Sequence, residues 1–330
     1  MEDKDIWALA EFRCGKMHET SLELLAWGSS LAQKRNVRLC AVALGKKIET
    51  GDLEQLIAHG ADCVYVVESP KLEFFLTDTY AKALQVLIEQ FKPEIIIAAA
   101  TTSGRSVMPY VSMRVNAGLT ADCTDLDIDP ETGDLLQTRP AIGGNIMATI
   151  RTPDARPQMA TVRPKSIAMP PSDPTRRGEI IRVCVPAETL TSTSEFLQFV
   201  AEDTDSRPIE DAAVIVCGGK GIQKEQNFAL LKQLADVFDG VVGGTRIPVD
   251  YGWLPYAHQI GLSGKTVSPR LYIACGVSGA IQHLAGIQSA ETIVAINKDE
   301  NAQIFQLADF AVVGDLFEIV PELIDRLKQL

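Results

Sequence analysis

The chain has 330 residues, 46% of them apolar and 22% charged, a balance that suits a soluble protein of two domains rather than a fibrous or disordered one. A formal net charge of −12 argues against nucleic acid and anionic membrane surfaces as partners, since both bind through clustered Lys and Arg. No apolar run reaches bilayer length, and the N-terminal MEDKDIWALAEF lacks the basic-then-apolar order of a signal peptide, so a cytoplasmic protein is expected. The seven cysteines are scattered without a C-x-x-C pair; they read as small buried hydrophobes, with no metal or iron–sulfur site.

The first half alternates strands and helices. Asp5–Glu11, Val37–Leu44, Cys63–Val67 and Glu94–Ala100 read as strands, with helices over His18–Arg35, Gly51–His59 and Asp78–Phe91 between them. Thr101–Arg105 reads as a turn and Ser106–Asn116 as the next helix. This order predicts a parallel sheet covered by helices on both faces. After Gly118, the runs Leu126–Ile128, Leu135–Arg139, Asn145–Ile150 and Gln158–Val162 are separated by turn residues and predict appended antiparallel hairpins. Glu179–Val185 adds a last strand. The first domain is thus placed at 1–186, followed by an acidic linker or hinge at 187–210, helical around Phe196–Val200.

From 211 to 330 the alternation restarts, predicting a doubly wound C-terminal domain. Ala212–Cys217 is a strand and Lys224–Phe238 a helix; Val241-Val242, a loop at 243–246 and an excursion to Ser263 follow. Leu271–Cys275 and Thr292–Ile296 are strands around a glycine-punctuated turn and a short helix. Phe310–Val313 is the last strand, Asp315 a cap, and Pro321–Leu330 the final helix.

In this domain the strands end in Gly218–Gly221, Gly243–Arg246, Gly276–Gly279, Asn297–Asp299 and Gly314-Asp315. Ligands of open parallel sheets bind outside the carboxyl ends of the strands, so this edge is the predicted nucleotide-type site. The turn Gly276-Val277-Ser278-Gly279 leads directly into a helix, which offers free N–H groups to an anion, with His283 five residues beyond Ser278. Neither the G-x-G-x-x-G fingerprint nor the P-loop spacing is present. Ser278, His283 and Asp315 could be cast as a hydrolase triad, but serine and histidine share one short helix and no oxyanion motif is evident. His18, His59 and His258 are isolated, and Trp253 and Tyr256 read as packing residues of a loop.

The run GKTVSPRLYIACGVSGAIQHLAG, followed by VAINKDENAQIFQLADFAVVGDLFEIVPEL, resembles the alpha subunit of electron transfer flavoproteins. The resemblance implies an N-terminal α/β domain that packs on a beta subunit and a C-terminal domain that holds one FAD. Carried over by position, it implies an FAD site at Lys220, Thr245, Arg246, Ile260, Gly261, Leu262, Ser263, Ser278, Gly279, Ala280, Ile281, Gln282, His283, Asn297, Asp315 and Leu316. Arg246 would lie over the flavin ring, Ser263 near its N5, and His283 on the N1/C2=O side, where negative charge collects on reduction. These three are the residues it implies for electron transfer. The phosphates would face Ser278 and the N–H groups after it, and the adenosine half Asn297 and Asp315. Lys220 stands where arginine is usual in the family, Thr245 where serine is, Leu262 where glutamine is and Ser263 where threonine is. Lysine keeps the charge but lacks the planar fork.

Within that family, GLTADCTDLDID, GGNIMATI and RPQMATVRP resemble the branch of anaerobes and nitrogen fixers, whose members often bifurcate electrons. That branch implies a second FAD and an NADH site mainly on the beta subunit. It also implies an acyl-CoA dehydrogenase-type partner and ferredoxin or flavodoxin as the low-potential acceptor. The alternatives are a simple, non-bifurcating carrier without substrate turnover of its own, or a non-redox dinucleotide-binding module.

Overall fold

A computed structural model describes residues 5–13, 15–141, 146–198, 208–288 and 290–328, which fall into two compact units divided between residues 198 and 208. In chain order the first unit contains β1 (Ile6–Ala10), β2 (Phe12–Arg13), β3 (Lys16–Met17), α1 (Thr20–Arg35), β4 (Leu39–Gly45), α2 (Thr50–Ala58), β5 (Cys63–Glu68) and α3 (Thr77–Phe91). It continues with β6 (Ile95–Ala99), α4 (Thr102–Arg114), β7 (Leu119–Cys123), β8 (Asp125–Ile128), β9 (Leu135–Pro140), β10 (Met147–Ile150), β11 (Gln158–Val162) and β12 (Glu179–Arg182). Seven strands form an entirely parallel sheet in the order β12-β5-β4-β1-β6-β11-β7. The central runs LCAVALG and IIIAA lack polar residues because helices cover both faces. Successive side chains alternate between two cores. Ile6, Ala8, Leu39 and Ile97 pack with Leu25 and Leu31 of α1 and Leu53 of α2, while Trp7, Cys40, Tyr65 and Ile96 pack with Leu84 of α3 and Val111 of α4.

Helix ends follow local chemistry. Asn36 and Lys92 stop α1 and α3 in the left-handed conformation, each returning its N–H to the last turn. The predicted turn at Thr101–Arg105 is instead the start of α4. Thr101 is its N-cap, with Oγ1 accepting from Gly104 N at 3.1 Å, and the same hydroxyl donates to Glu11 at 2.5 Å. A Cβ on Gly104 would collide with Ala99 O, so the helix can turn this closely over the end of β6 only with glycine there. Thr101→Ala is expected to lower unfolding stability by about 1 kcal/mol, read as a shift in urea midpoint at constant slope.

The middle of the chain departs from the expected run of hairpins. β8, β9 and β10 do form an antiparallel sheet, but Gln158–Val162 is not one of its hairpins: β11 inserts in parallel between β6 and β7. All five of its residues are buried, and Gln158 is tolerated because its side chain is fully paired. Its Oε1 accepts from Leu135 N at 2.7 Å, while Nε2 donates to Asp134 Oδ1 at 3.1 Å and Thr152 O at 2.9 Å. Asp134, itself buried, also receives Arg151 at 3.1 Å and Arg156 at 2.9 Å. The polar strand β7 has no counterpart among the strands expected from the sequence. Beside it the β11 register shifts near Asp122, which adopts φ 64° and is held by Arg105 at 2.9 Å and Arg163 at 2.8 Å.

The linker reading at 187–210 also changes. Residues 187–198 pack on the first unit: Leu190 is buried, Ser192 Oγ and Thr193 N donate to Asp78, and Phe196 stacks on Phe74 at 3.6 Å. The described part of Phe196–Val200, 196–198, is not helical, and Phe199 and Val200 lie outside the described residues.

The second unit contains β13 (Val214–Gly218), α5 (Phe228–Val237), β14 (Val241–Gly244), α6 (Arg246–Asp250), β15 (Leu271–Cys275), α7 (Ile281–Leu284), β16 (Ile293–Asn297), β17 (Phe310–Val313) and α8 (Leu316–Leu327). Its five strands are parallel in the order β14-β13-β15-β16-β17. The predicted helix at Lys224 begins only at Phe228, after two tight 3-10 turns. The final helix begins at Leu316 rather than Pro321. Asp315 caps it, accepting from Phe317 N at 2.8 Å, and Leu316, Val320 and Ile324 form its buried stripe. No helix of the described residues is long and apolar enough to cross a membrane.

Candidate functional site

In the second sheet the chain leaves β13 toward β14 on one side and later returns to β15 on the other. The crevice between the carboxyl ends of β13 and β15 is therefore its topological switch point. The loops after these strands touch backbone to backbone. Gly219 N donates to Cys275 O and Gly221 N to Gly276 O, each at 3.0 Å. A Cβ on Gly221 would lie 2.7 Å from Gly276 Cα, so no larger residue fits without parting the loops. Gly276 at φ 61° and Gly279 at φ 83° then bend the chain into α7.

The bend leaves a row of donors. Among the described residues, the N–H groups of Ser278, Gly279, Ala280, Ile281 and Gln282 have no hydrogen-bond partner, and all but Gly279 belong to exposed residues. Side chains from the neighbouring strand ends hold the row in shape. Asn297 Nδ2 donates to Val277 O at 2.8 Å while its Oδ1 accepts from Asp299 N. Lys298 Nζ meets Asp315 Oδ2 at 2.8 Å; that hydrogen bond, with the one from Phe317 N, holds the Asp315 carboxyl below the usual range.

Opposite this row, the segment 259–265 carries the predicted Ser263. Ile260 N donates to Gly244 O at 2.9 Å, Leu262 N to Gln282 O at 2.7 Å, and Gly261 takes φ 141° where a Cβ would crowd Gln282 O. Gln259 Nε2 donates to Ser263 Oγ at 3.1 Å and Tyr256 Oη to Ser263 O at 2.7 Å, so the hydroxyl is oriented with its own hydrogen left to give. Thr245 precedes α6 with its N–H on Gly218 O; Arg246 is exposed and paired with Asp250 at 3.2 Å, and Lys220 is exposed. Ile260 and Leu316 are buried, so their side chains serve the core, whereas Leu262 is exposed. From the sequence Tyr256 reads as a packing residue of its loop and Gln259 is not singled out, whereas here both hold Ser263.

His283 sits differently from its expected role. The ring is buried, with Nδ1 3.0 Å from Ile260 O and Nε2 3.0 Å from Tyr272 Oη. A carbonyl only accepts, so Nδ1 carries the hydrogen and Nε2 accepts from the tyrosine. Burial lowers its pKa to about 4, with the Ile260 bond opposing, so the ring is uncharged at neutral pH and has no N–H to spare for a ligand. The same contacts remove a Ser278–His283 couple, and Asp315 is engaged with Lys298, which leaves a hydrolase triad without geometry.

Fold and edge chemistry together define an α/β protein whose second unit gathers unpartnered backbone N–H groups at the switch point of a parallel sheet. The electron transfer flavoprotein domain family matches residues 6–188, and the electron transfer flavoprotein FAD-binding domain family matches residues 208–288. The chain belongs to the electron transfer flavoprotein family, on its alpha-subunit (FixB) side, and its role is electron transfer. It is 48% identical to the electron transfer flavoprotein subunit alpha of Thermoanaerobacterium thermosaccharolyticum, over 99% of this chain and 98% of that one. It is 44% identical to the protein FixB of Clostridium saccharobutylicum, over 99% and 97%. An acryloyl-CoA reductase electron transfer subunit beta of Anaerotignum propionicum is 41% identical, over 99% and 96%.

Proposed function

We propose that this chain is the alpha subunit of a heterodimeric electron transfer flavoprotein. In this reading it holds one FAD at the carboxyl edge of its second sheet and passes single electrons between a beta subunit and an acyl-CoA dehydrogenase-type flavoenzyme. The observation that carries it is the row of five unpartnered N–H groups at the switch point, inside the stretch that matches the FAD-binding family. Such a row suits a diphosphate, because its backbone donors are not spent on the protein's own carbonyls. The bound flavin would supply the reversible one-electron chemistry. With FAD bound, Ser263 would give a hydroxyl hydrogen to the ring, Arg246 a cation and Lys220 a charge for the phosphates. Asn297 and Asp315 shape the adenosine end, through the bonds of Asn297 to Val277 O and Asp299 N and of Asp315 to Phe317 N and Lys298.

The heterodimer further works in an NADH-dependent bifurcating complex, with a second FAD and the NADH site mainly on the beta subunit and ferredoxin or flavodoxin taking the low-potential electron. The relative named for acryloyl-CoA reductase supports a dehydrogenase context of this kind. The test is to co-express the chain with its beta subunit, extract the purified complex with acid and count FAD per heterodimer. Two are expected; one would leave a simple carrier, and none would end the flavoprotein reading.

A further inference from the structure

Tyr272 is the second residue of β15, fully buried and flanked in the sheet by Ile215 and Ile293. A buried phenol needs a partner for its O–H, and here that partner is His283 Nε2 at 3.0 Å. The bond does more than satisfy tyrosine. With Nε2 occupied as an acceptor, the imidazole hydrogen is confined to Nδ1, which must donate to Ile260 O at 3.0 Å. The other tautomer would place a lone pair against that carbonyl. Ile260 is three residues before Ser263, and the same segment is tied to the turn by Leu262 N on Gln282 O at 2.7 Å. The ring adds a second tie between the segment that carries the Ser263 hydroxyl and the stretch that carries the free N–H groups, and this one is made by a side chain.

We propose that Tyr272 and His283 form a positioning brace. Tyr272 fixes the tautomer of His283, and His283 pins the Ile260 carbonyl, so that Ser263 and the N–H groups of residues 278–282 face the cofactor at a set separation. The inference rests on the FAD reading of this edge and assigns His283 a role through the chain rather than through a hydrogen bond of its own to the flavin. Tyr272 is a positioning residue in the same sense, since its hydroxyl reaches the site only through the histidine.

The test uses the full chain in complex with its beta subunit and three variants, Tyr272→Phe, His283→Asn and His283→Ala. Imidazole 15N shifts give the tautomer directly, and with 4 histidines in the chain the His283 signals are assigned by their loss in His283→Asn. Wild type is expected to show the Nδ1-protonated pattern at neutral pH, and Tyr272→Phe a mixture of tautomers. Asparagine places an amide N–H where Nδ1–H stands, so His283→Asn should hold FAD within about fivefold of wild type, whereas His283→Ala should lose about a hundredfold and Tyr272→Phe about tenfold. A wild-type ring protonated on Nε2, or equal losses for the alanine and asparagine variants, would overturn the brace. Wild type that binds no FAD while keeping the Nδ1–H tautomer would instead overturn the cofactor reading, because the shifts report the ring without reference to any ligand.

Discussion

Gly279→Val is expected to strip the flavin from the purified complex. At φ 83° an L side chain costs roughly 1–2 kcal/mol from local sterics alone. The contact term is added to that, because a Cβ here would run into Ile304 N, with Ile304 Cα at 2.6 Å and Gln303 C at 2.8 Å. All three atoms are backbone and cannot swing aside. Ile304 is fully buried, and its N–H donates to Ser278 O at 3.1 Å, so the clash breaks the bond that fixes the first residue of the donor row. Together the two effects come to roughly 3 kcal/mol or more, which is over a hundredfold in cofactor affinity. Flavin absorbance in the protein peak after gel filtration reads the outcome. Gly252→Ala is the control: it shares a positive φ of 76° but has nothing within 4 Å of its Cβ, and so should cost only the steric term, with flavin retained. Full flavin retention by Gly279→Val would mean that the turn does not carry the site.

The second large effect is expected from Asp134→Ala in the first unit. Asp134 is 6% exposed at its side chain, and from its place before β9 it collects Arg151, just after β10, and Arg156 and Gln158, at the start of β11. Removing the carboxylate leaves a buried amide and two guanidinium groups short of an acceptor. The arginines are partly exposed and recover water, so the loss is set at ~2–4 kcal/mol, below that of a fully enclosed pair. Burial alone would raise the carboxyl pKa, but the hydrogen bonds from Arg156 and Arg151 outweigh it and hold the value below the usual carboxylate range. The sign follows: the folded protein binds the proton less readily than the unfolded chain. This contribution is therefore complete above the unfolded value of about 4 and disappears as pH falls through the lower folded value. Urea midpoints at pH 7 and pH 3 should show the gap between wild type and Asp134→Ala narrowing in acid. A gap unchanged with pH would show that the carboxylate charge is not what holds this corner.

How much of this was legible in the chain depended on whether the deciding partner was local. LCAVALG, CVYVVE and IIIAA announced buried parallel strands because few of their residues could face water. QMATV is buried just as completely, but its glutamine and the Pro-Asp turn before it read as a hairpin. Nothing in the sequence reveals that Asp134, 24 residues away, satisfies that glutamine. The α4 start was hidden because Thr101-Thr102-Ser103-Gly104 has turn composition while acting as a cap. The α8 start was hidden by Pro321, which marks a helix opening in most contexts but here lies inside one.

At the site, the glycine turns were legible because strand-end glycines act within a few residues. The resemblance then supplied the positions beyond them. It could not show that Ile260 and Leu316 are buried, nor that Asn297 and Asp315 spend their polar atoms on the backbone and Lys298. His283 misled for the same reason. Its partners lie 11 and 23 residues upstream, on a strand and in a segment that only folding brings beside it.

The insertion of β11 between β6 and β7 bears on how the chain is made. A ribosome delivers β6 and β7 long before residue 158, and the two cannot pair with one another in the finished arrangement because a later strand belongs between them. Until then Ile96, Ala98 and Leu119 border an open sheet edge, the kind of surface that recruits foreign strands. Nascent chains stalled before Val162 should therefore be held by chaperones or precipitate, and those released after Arg182, when β12 has also been added, should stay in solution.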